Sequence, residues 1–231
     1  NSLIQNKEVL LLEKSKKYFA HETVIVDNGA IIGEGTKIWH YSHICKGAII
    51  GKNCNIGQNV FIAGGAVLGD NCKVQNNVSI YAGVEAEDYV FFGPSCVLTN
   101  DINPRCMRSK NGEYIKTILK KGVTLGANCT IVCGNTIGEH ALIGAGAVIC
   151  KDVEPYSIIV GNPGRKIGEI DEKGKRLKKA SSRDEKNAMT YFDRLIFNLK
   201  RLLAKLPGGE SKFVSLAAAL FLLKESEKPK D

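Results

Sequence analysis

Large aliphatic residues recur every six positions along much of this chain: Val26, Ile32, Ile38, Ile44, Ile50, Ile56, Ile62, Leu68, Val74, Ile80, Ala86, Phe92 and Leu98, with no slip of register. Four residues after each stands a smaller or branched one, among them Ala30, Thr36, Ser42, Ala48, Cys54, Val60, Ala66, Cys72 and Cys96. A period of six fits neither a helix, at about 3.6, nor an alternating strand, at about 2. It predicts a short strand and a turn in each hexad, with three hexads closing a triangular coil and successive coils stacking at about 4.8 Å. The large residue fills the interior and the small one lies inside the corner. One residue before each small position stand Gly29, Gly35, Gly47, Asn53, Asn59, Gly65, Asn71, Asn77 and Gly83, residue types that tolerate positive φ. Tyr41, Tyr89 and Ser95 break that rule.

The pattern stops after Leu98 and resumes at Leu119, Leu125, Ile131, Ile137, Ile143 and Ile149. Nineteen hexads make about six coils. The intervening stretch TNDINPRCMRSKNGEYIKTI carries no hexads, and a loop of that length inside a compact repeat is usually functional. The expected architecture is therefore all-β: a lead-in over 1–22, a parallel β-helix over 23–170 with an excursion loop at 103–118, and a tail over 171–231. In the tail Phe192, Leu195, Ile196, Leu199, Leu202, Leu203 and Leu206 recur at helical spacing, and a second apolar helix is expected at about 212–225.

Composition narrows the function classes. With 44% apolar and 24% charged residues in 231, the chain is an ordinary globular protein rather than a disordered or collagen-like one. Its net charge is +8, but residues 171–231 carry 15 Lys+Arg against 9 Asp+Glu, leaving 17 against 15 for residues 1–170. A near-neutral folded part is not what a nucleic-acid binder presents. The apolar run from Phe213 to Leu223 is too short to span a bilayer, and no signal-peptide pattern is visible, so a cytoplasmic protein is expected. The eight cysteines form no CxxC pair, and Cys54, Cys72, Cys96 and Cys129 fall at the small-residue position, where a thiol serves as a small hydrophobe.

The hexads resemble those of the left-handed β-helix acyltransferases, the hexapeptide-repeat family. The strings TKIWHYSHI, IGQNVFIAGG, VQNNVSIY, FFGPSCVLTNDINPR, TLGANCTIVCG and IGAGAVICKDV, followed by VGNPGRKIG, resemble more narrowly the enzymes that acetylate the 3-amino group of UDP-2-acetamido-3-amino-2,3-dideoxyglucuronate on the way to bacterial lipopolysaccharide. The resemblance implies a left-handed coil and a homotrimer, with acetyl-CoA in the groove between neighbouring β-helices and the excursion loop closing each site. Two tail helices packed on each other or under the trimer are expected in preference to contact with an anionic membrane.

Hexads starting at 38, 56, 74 and 92 should stack, which puts His40, Gln58, Asn76 and Pro94 in one column and Tyr41, Asn59, Asn77 and Ser95 in the next. Asn59 and Asn77 are expected at a positive-φ turn whatever the function; Asn76 is not. The resemblance implies that Asn76 or Asn77 contacts the sugar amine. His40 is the candidate general base, although no carboxylate partner is evident for it, and His43 ranks behind it. His140 is expected to face solvent. Tyr41, Gln58, Asn59 and Arg105 are expected substrate contacts, Arg105 from a loop whose residues 103–121 carry six cations against one anion. For acetyl-CoA the candidates are Gly144, Ala145, Gly146 and Ala147, small enough for close approach, with Asn162, Arg165 and Lys166 toward its phosphates. No metal is expected: a γ-carbonic-anhydrase reading needs three zinc-holding histidines, and His21, His40, His43 and His140 form no HxxxxH pair. The alternatives are a dTDP-3-amino-deoxysugar acetyltransferase and a non-catalytic trimeric scaffold.

Overall fold

Each hexad contributes one strand of only two or three residues, because a corner must follow before the chain can turn through the triangle. The computed structural model describes residues 17–107 and 113–179, and among these there is no helix. Strands three hexads apart pair in parallel with an 18-residue register, as in Lys37↔Asn55, Lys73↔Phe91 and Ser79↔Phe61. The result is a three-faced β-solenoid. One face stacks strands from Phe19–Ala20 to Ser157–Val160, eight levels in parallel; the second runs seven levels from Ile25–Val26 to Val148–Ile149. The third runs six, from Ile31–Ile32 to Thr136–Ile137, and a bridge from Ile137 to Val153 starts a seventh.

The solenoid is thus nearer eight coils than the six expected, for two reasons. At the start, Phe19–Ala20 already pairs with Lys37–Ile38, so residues expected in the lead-in belong to the first coil. At the end the register shortens: Ile143 pairs with Ile159, sixteen residues on instead of eighteen, so stepping by six misses the last level. Beyond it Arg165–Ile170 and Arg176–Lys179 add antiparallel strands to the first face, so residues 171–179 continue the sheet. The two expected tail helices lie outside the described residues.

The interior is the column of hexad aliphatics. Ile38, Ile44, Ile56, Ile62, Ile80, Phe92, Leu98, Leu125 and Ile131 are all fully buried, and burial of such side chains stabilises by about 1.5–3 kcal/mol each. The small position does more than save space. Thr36 Oγ1 donates to Gly51 O (2.8 Å) and accepts from Cys54 N–H (3.0 Å), and Ser42 Oγ does the same with Gly57 O (2.8 Å) and Val60 N–H (3.0 Å). Cys54 and Cys72 donate their thiols to Gly69 O (3.2 Å) and Glu87 O (3.3 Å). The buried cysteines therefore act as weak coil-to-coil donors where Ser or Thr could stand, which accounts for their position without any redox role. All eight cysteines are free.

Candidate functional site

First-face strands feed one corner of the triangle, built from residues 21–23, 39–41, 57–59, 75–77, 93–95, 126–128, 144–146 and 161–163, one level above another. His40, Tyr41, Gln58, Asn59, Asn76, Asn77, Gly144, Ala145, Gly146 and Asn162 all belong to it; Ala147, expected against acetyl-CoA, is instead fully buried at the small-residue position inside the solenoid. The Gly161–Gly164 turn caps the column: Val148 N–H donates to Gly161 O (3.0 Å) and Gly164 N–H to Val148 O (2.7 Å). At about 4.8 Å per level, Asn76 and Ala145 are about 14 Å apart, and His40 and Asn76 about 10 Å. A long thin ligand can run along this edge. The His40 ring leans on His21, one level further from Asn76.

The asparagines form an inter-coil ladder. Asn59 Nδ2 donates to Asn77 Oδ1 (3.0 Å), and both residues have positive φ, 54° and 61°. Asn76 has a structural task that the sequence did not disclose: its Oδ1 accepts Gln58 N–H (2.9 Å). Asp70 and Asp88 do the same on another corner, accepting Lys52 N–H (2.7 Å) and Asp70 N–H (2.7 Å). A short acceptor at that turn satisfies a backbone donor of the coil below, whatever ligand is bound. Asn76 Nδ2 has no hydrogen bond among the described residues and is left for one.

His40 is half-buried, its ring against that of His21, centroids 3.6 Å apart and the planes tilted by 31°. A short relay runs beneath: Tyr41 N–H donates to Thr23 Oγ1 (3.0 Å), and the Thr23 hydroxyl lies 3.0 Å from His21 Nδ1. Among the described residues no carboxylate pairs with His40. Two other histidines have one: His43 Nε2 is 3.1 Å from Asp27 Oδ1, and His140 Nε2 is 3.7 Å from Glu139 Oε1. Asp27's carboxyl is held below the ordinary carboxylate value, chiefly by the His43 contact and then by Lys46 N–H. Asp27 escaped the sequence reading, yet it lies eighteen residues before Cys45, and the coil period alone stacks the two. His140 does not face solvent as expected: its side chain is 16% exposed and stacks on Tyr156 (5.3 Å), because the turn position that gives it φ 54° tucks its ring beneath the next coil.

Arg105 stands apart. The excursion leaves after Val97–Leu98 on the second face and re-enters at Thr117–Leu119 on the third, its neck closed by Ile115 N–H to Asn100 O (3.0 Å). It replaces a different corner, and Arg105 is exposed there with Nη1 on Pro104 O (2.9 Å). Arg108 and Lys110 lie outside the described residues. At the C-terminal end Lys166 Nζ is paired with Glu154 (2.9 Å) and Glu169 (3.5 Å), which raises its pKa and lowers that of Glu154. Arg165 forms no ion pair among the described residues and is the freer cation. A pocket of about 270 Å³ beside them is lined by Cys150, Asp152, Ser157 and Lys166 among others, and the buried Ser157 Oγ has no hydrogen-bond partner.

Residues 29–64 match the bacterial transferase hexapeptide (six repeats) family, and residues 47–82, 117–151 and 134–162 match the hexapeptide repeat of succinyl-transferase. The chain thus carries the repeats of the hexapeptide transferase family over about 100 of its 231 residues. Among curated relatives it is 44% identical over 66 residues to a dTDP-3-amino-3,6-dideoxy-alpha-D-galactopyranose 3-N-acetyltransferase of Aneurinibacillus thermoaerophilus, a match spanning 29% of this chain and 34% of the relative. It is 41% identical over 56 residues to a 2,3,4,5-tetrahydropyridine-2,6-dicarboxylate N-acetyltransferase of Brevibacillus brevis, 24% of each chain. These matches thus span about a third and a quarter of the relatives' lengths. Solved structures of similar shape include a GDP-perosamine N-acetyl transferase variant from Caulobacter crescentus with CoA and GDP-perosamine (17% identity, 73% of this chain and 66% of that one, TM-score 0.44). Another is the acetyltransferase domain of PglB from Neisseria gonorrhoeae with acetyl coenzyme A (19% identity, 70% and 62%, TM-score 0.46).

Proposed function

We propose that this hexapeptide-repeat protein transfers the acetyl group of acetyl-CoA to an amino group of a nucleotide-linked sugar. The observation that carries the reading is that the polar ladder and the small-residue levels share one corner. Asn59, Asn76 and Asn77 present amide groups at two levels, and at the seventh level Ala145 and Gly146 are exposed with nothing within 4 Å of the Gly146 Cβ position, whereas Gly144 is glycine because Val160 of the next coil fills its Cβ space. Pantetheine needs a backbone edge it can approach closely along its length, and the acceptor amine needs a polar end. Arg165, and with it Asn162, takes the phosphate end; Lys166, already engaged by two carboxylates, contributes less.

The chemistry is attack of a neutral amine on the thioester carbonyl, collapse of the tetrahedral adduct with the C–S bond breaking, and passage of the amine's proton to the departing thiolate. A sugar amine is partly neutral near pH 7.5, so a strong base is not required. His40, without a carboxylate, one level from Asn59 and two from Asn76 and Asn77, serves as a positioning group for substrate in this reading.

Two finer points belong to the same proposal. The acceptor is the 3-amino group of a UDP-linked 2-acetamido-3-amino-2,3-dideoxyglucuronate, whose carboxylate and diphosphate suit the cationic excursion, and the active assembly is a homotrimer. A single three-faced solenoid offers flat walls, and Arg105 lies on another corner from Asn76, so a site using both takes them from adjacent chains. The match to a dTDP-3-amino-sugar enzyme supports a second reading in which the nucleotide is dTDP and the sugar lacks the carboxylate. An acetyl-transfer assay over UDP- and dTDP-linked 3-amino sugars, with and without the C6 carboxylate, separates the two. Turnover on none of them, with acetyl-CoA bound, would leave the scaffold reading.

A further inference from the structure

Away from the proposed acetyl-transfer corner, Asp27, His43 and Cys45 converge at the first two levels of the second face. Asp27 and Cys45 follow that face's strands on adjacent coils, one above the other, and His43 projects outward from the strand that Cys45 follows. One ligand-type atom from each lies within 4.8 Å of the other two. Asp27 Oδ1 is 3.1 Å and Cys45 Sγ 3.9 Å from His43, and both approach the same nitrogen, Nε2. That excludes a Cys-His-Asp catalytic relay, in which thiol and carboxylate must take opposite ring nitrogens. Convergence on one nitrogen is instead what three donors make around a common point.

We propose that Asp27, His43 and Cys45 bind a single divalent metal ion of the zinc type. The donor set of one carboxylate oxygen, one imidazole nitrogen and one sulfur is of the borderline class that zinc prefers over magnesium or calcium. Around tetrahedral zinc, neighbouring donor atoms lie about 3.4–3.6 Å apart, given Zn–O and Zn–N of about 2.0–2.2 Å and Zn–S of about 2.3 Å. The observed 3.1 and 3.9 Å bracket that spacing and the third pair, Asp27 to Cys45, lies within 4.8 Å, so side-chain rotations of up to about 1 Å complete the site. The donors are already oriented from behind. Lys46 N–H donates to Asp27 Oδ2 (3.2 Å), and the edge of the Phe61 ring (centroids 5.8 Å, 73°) holds the imidazole. Such supporting contacts are what fix metal ligands in place. The His43 and Asp27 side chains are 38% and 39% exposed, which leaves the fourth position open to solvent. Binding replaces the thiol proton of Cys45 with a metal–sulfur bond, releases that proton to solvent, and ties the first coil to the second.

The test uses the full chain stripped with a chelator and then titrated with Zn²⁺ against a chromophoric chelator, and separately with Co²⁺. The expected result is one ion per chain with a Kd of about 1 μM or tighter, weakened about 100-fold by Cys45→Ser or His43→Gln and unchanged by Cys106→Ser or Cys150→Ser. The Co²⁺ form should show a thiolate-to-cobalt charge-transfer band, absent in Cys45→Ser, and Zn²⁺ should raise the Tm of the wild-type chain but not of that variant. A wild-type chain with no such band, or zinc held equally well by both ligand variants, overturns the assignment. The wild-type spectrum decides the matter even if a variant fails to fold.

Discussion

Two glycines on the candidate corner, one level apart, should respond in opposite ways to one added methyl. A Cβ on Gly126 would lie 2.5 Å from Ala145 N and 2.7 Å from both Gly144 C and Ile143 O, all backbone of the next coil. Ordinary contact begins near 3.4 Å, so the coils would have to part locally by about 0.9 Å. That strains the inter-coil bonds Gly126 N–H to Ile143 O (2.8 Å) and Thr124 N–H to Ala141 O (2.9 Å). Two bonds at about 1 kcal/mol each and overpacking of about 1–3 kcal/mol give a destabilisation of about 3–5 kcal/mol for Gly126→Ala. Gly146 has φ +68° and nothing within 4 Å of its Cβ position, so Gly146→Ala carries only the left-handed penalty of about 1–2 kcal/mol. Its methyl would instead project along the edge proposed for acetyl-CoA. Urea unfolding of both variants measures the first effect, and KM for acetyl-CoA against kcat measures the second. If Gly126→Ala unfolds no earlier than Gly146→Ala, close coil spacing is not what requires glycine there. If Gly146→Ala leaves KM unchanged, acetyl-CoA does not pass this edge.

Asn76→Asp should keep the fold, because a carboxylate accepts Gln58 N–H as Asp70 and Asp88 accept theirs, while kcat/KM falls by about 1–3 kcal/mol through loss of the amide N–H₂; equal kcat/KM would remove Asn76 from substrate contact. His40→Ala should lower kcat by less than about 100-fold and leave the acidic limb of the pH profile in place, whereas a loss beyond about 1,000-fold with the limb abolished would make it the general base. The Glu87 carboxyl is held below its ordinary value first by Lys120 Nζ (2.7 Å) and then by Lys121 N–H (3.0 Å). Its stabilisation is therefore present above the ordinary carboxylate pKa and lost as pH falls through the depressed one. Both side chains of the ion pair are nearly half exposed, so Glu87→Gln should lower stability by under about 1 kcal/mol at pH 7, a difference that thermal unfolding should find shrinking as pH falls below the ordinary carboxylate range.

The fold was legible wherever interior volume dictates residue size. Ile38, Ile56, Val74 and Phe92 share a column because only an apolar side chain fills the triangle, and the eighteen-residue register follows from three hexads. What escaped was what volume does not dictate. Ala20 sits on the six-residue step but is too small to announce a strand, and the shortened last coil puts Pro155 where the step expects an aliphatic. Leu98 pairs with Ile131, thirty-three positions on, so the excursion adds fifteen residues at one corner and separates Arg105 from the asparagines. The columns at 40 and 41 were readable from the period alone, but the acceptor task of Asn76 was not, because it depends on where a turn N–H of the coil below points. The Asp27 contact needed the period to be applied to charged residues as well as to apolar ones.

Positive-φ corner positions filled by something other than Gly or Asn mark where the solenoid departs from its own geometric preference. Tyr41, Tyr89, Ser95, His140 and Tyr156 all have φ between 54° and 60°, a conformation costing an ordinary side chain about 1–2 kcal/mol. For His140 and Tyr156 the offset is visible within the chain, since their rings stack on each other at 5.3 Å. Tyr41 has no comparable packing: it is 65% exposed, with the nearest ring, that of His40, tilted at 6.2 Å. Its backbone N–H is nevertheless fixed by Thr23, so the turn that carries the ring is held in place. A strained, exposed and anchored aromatic one level below the Asn59 and Asn77 ladder offers a flat apolar face beside amides. If a planar ring of the ligand stacks on it, Tyr41→Asn should gain stability and raise KM together, whereas the same change at Tyr89, equally strained and 57% exposed on another corner, should gain stability alone; an unchanged KM for Tyr41→Asn would remove the ring from the site.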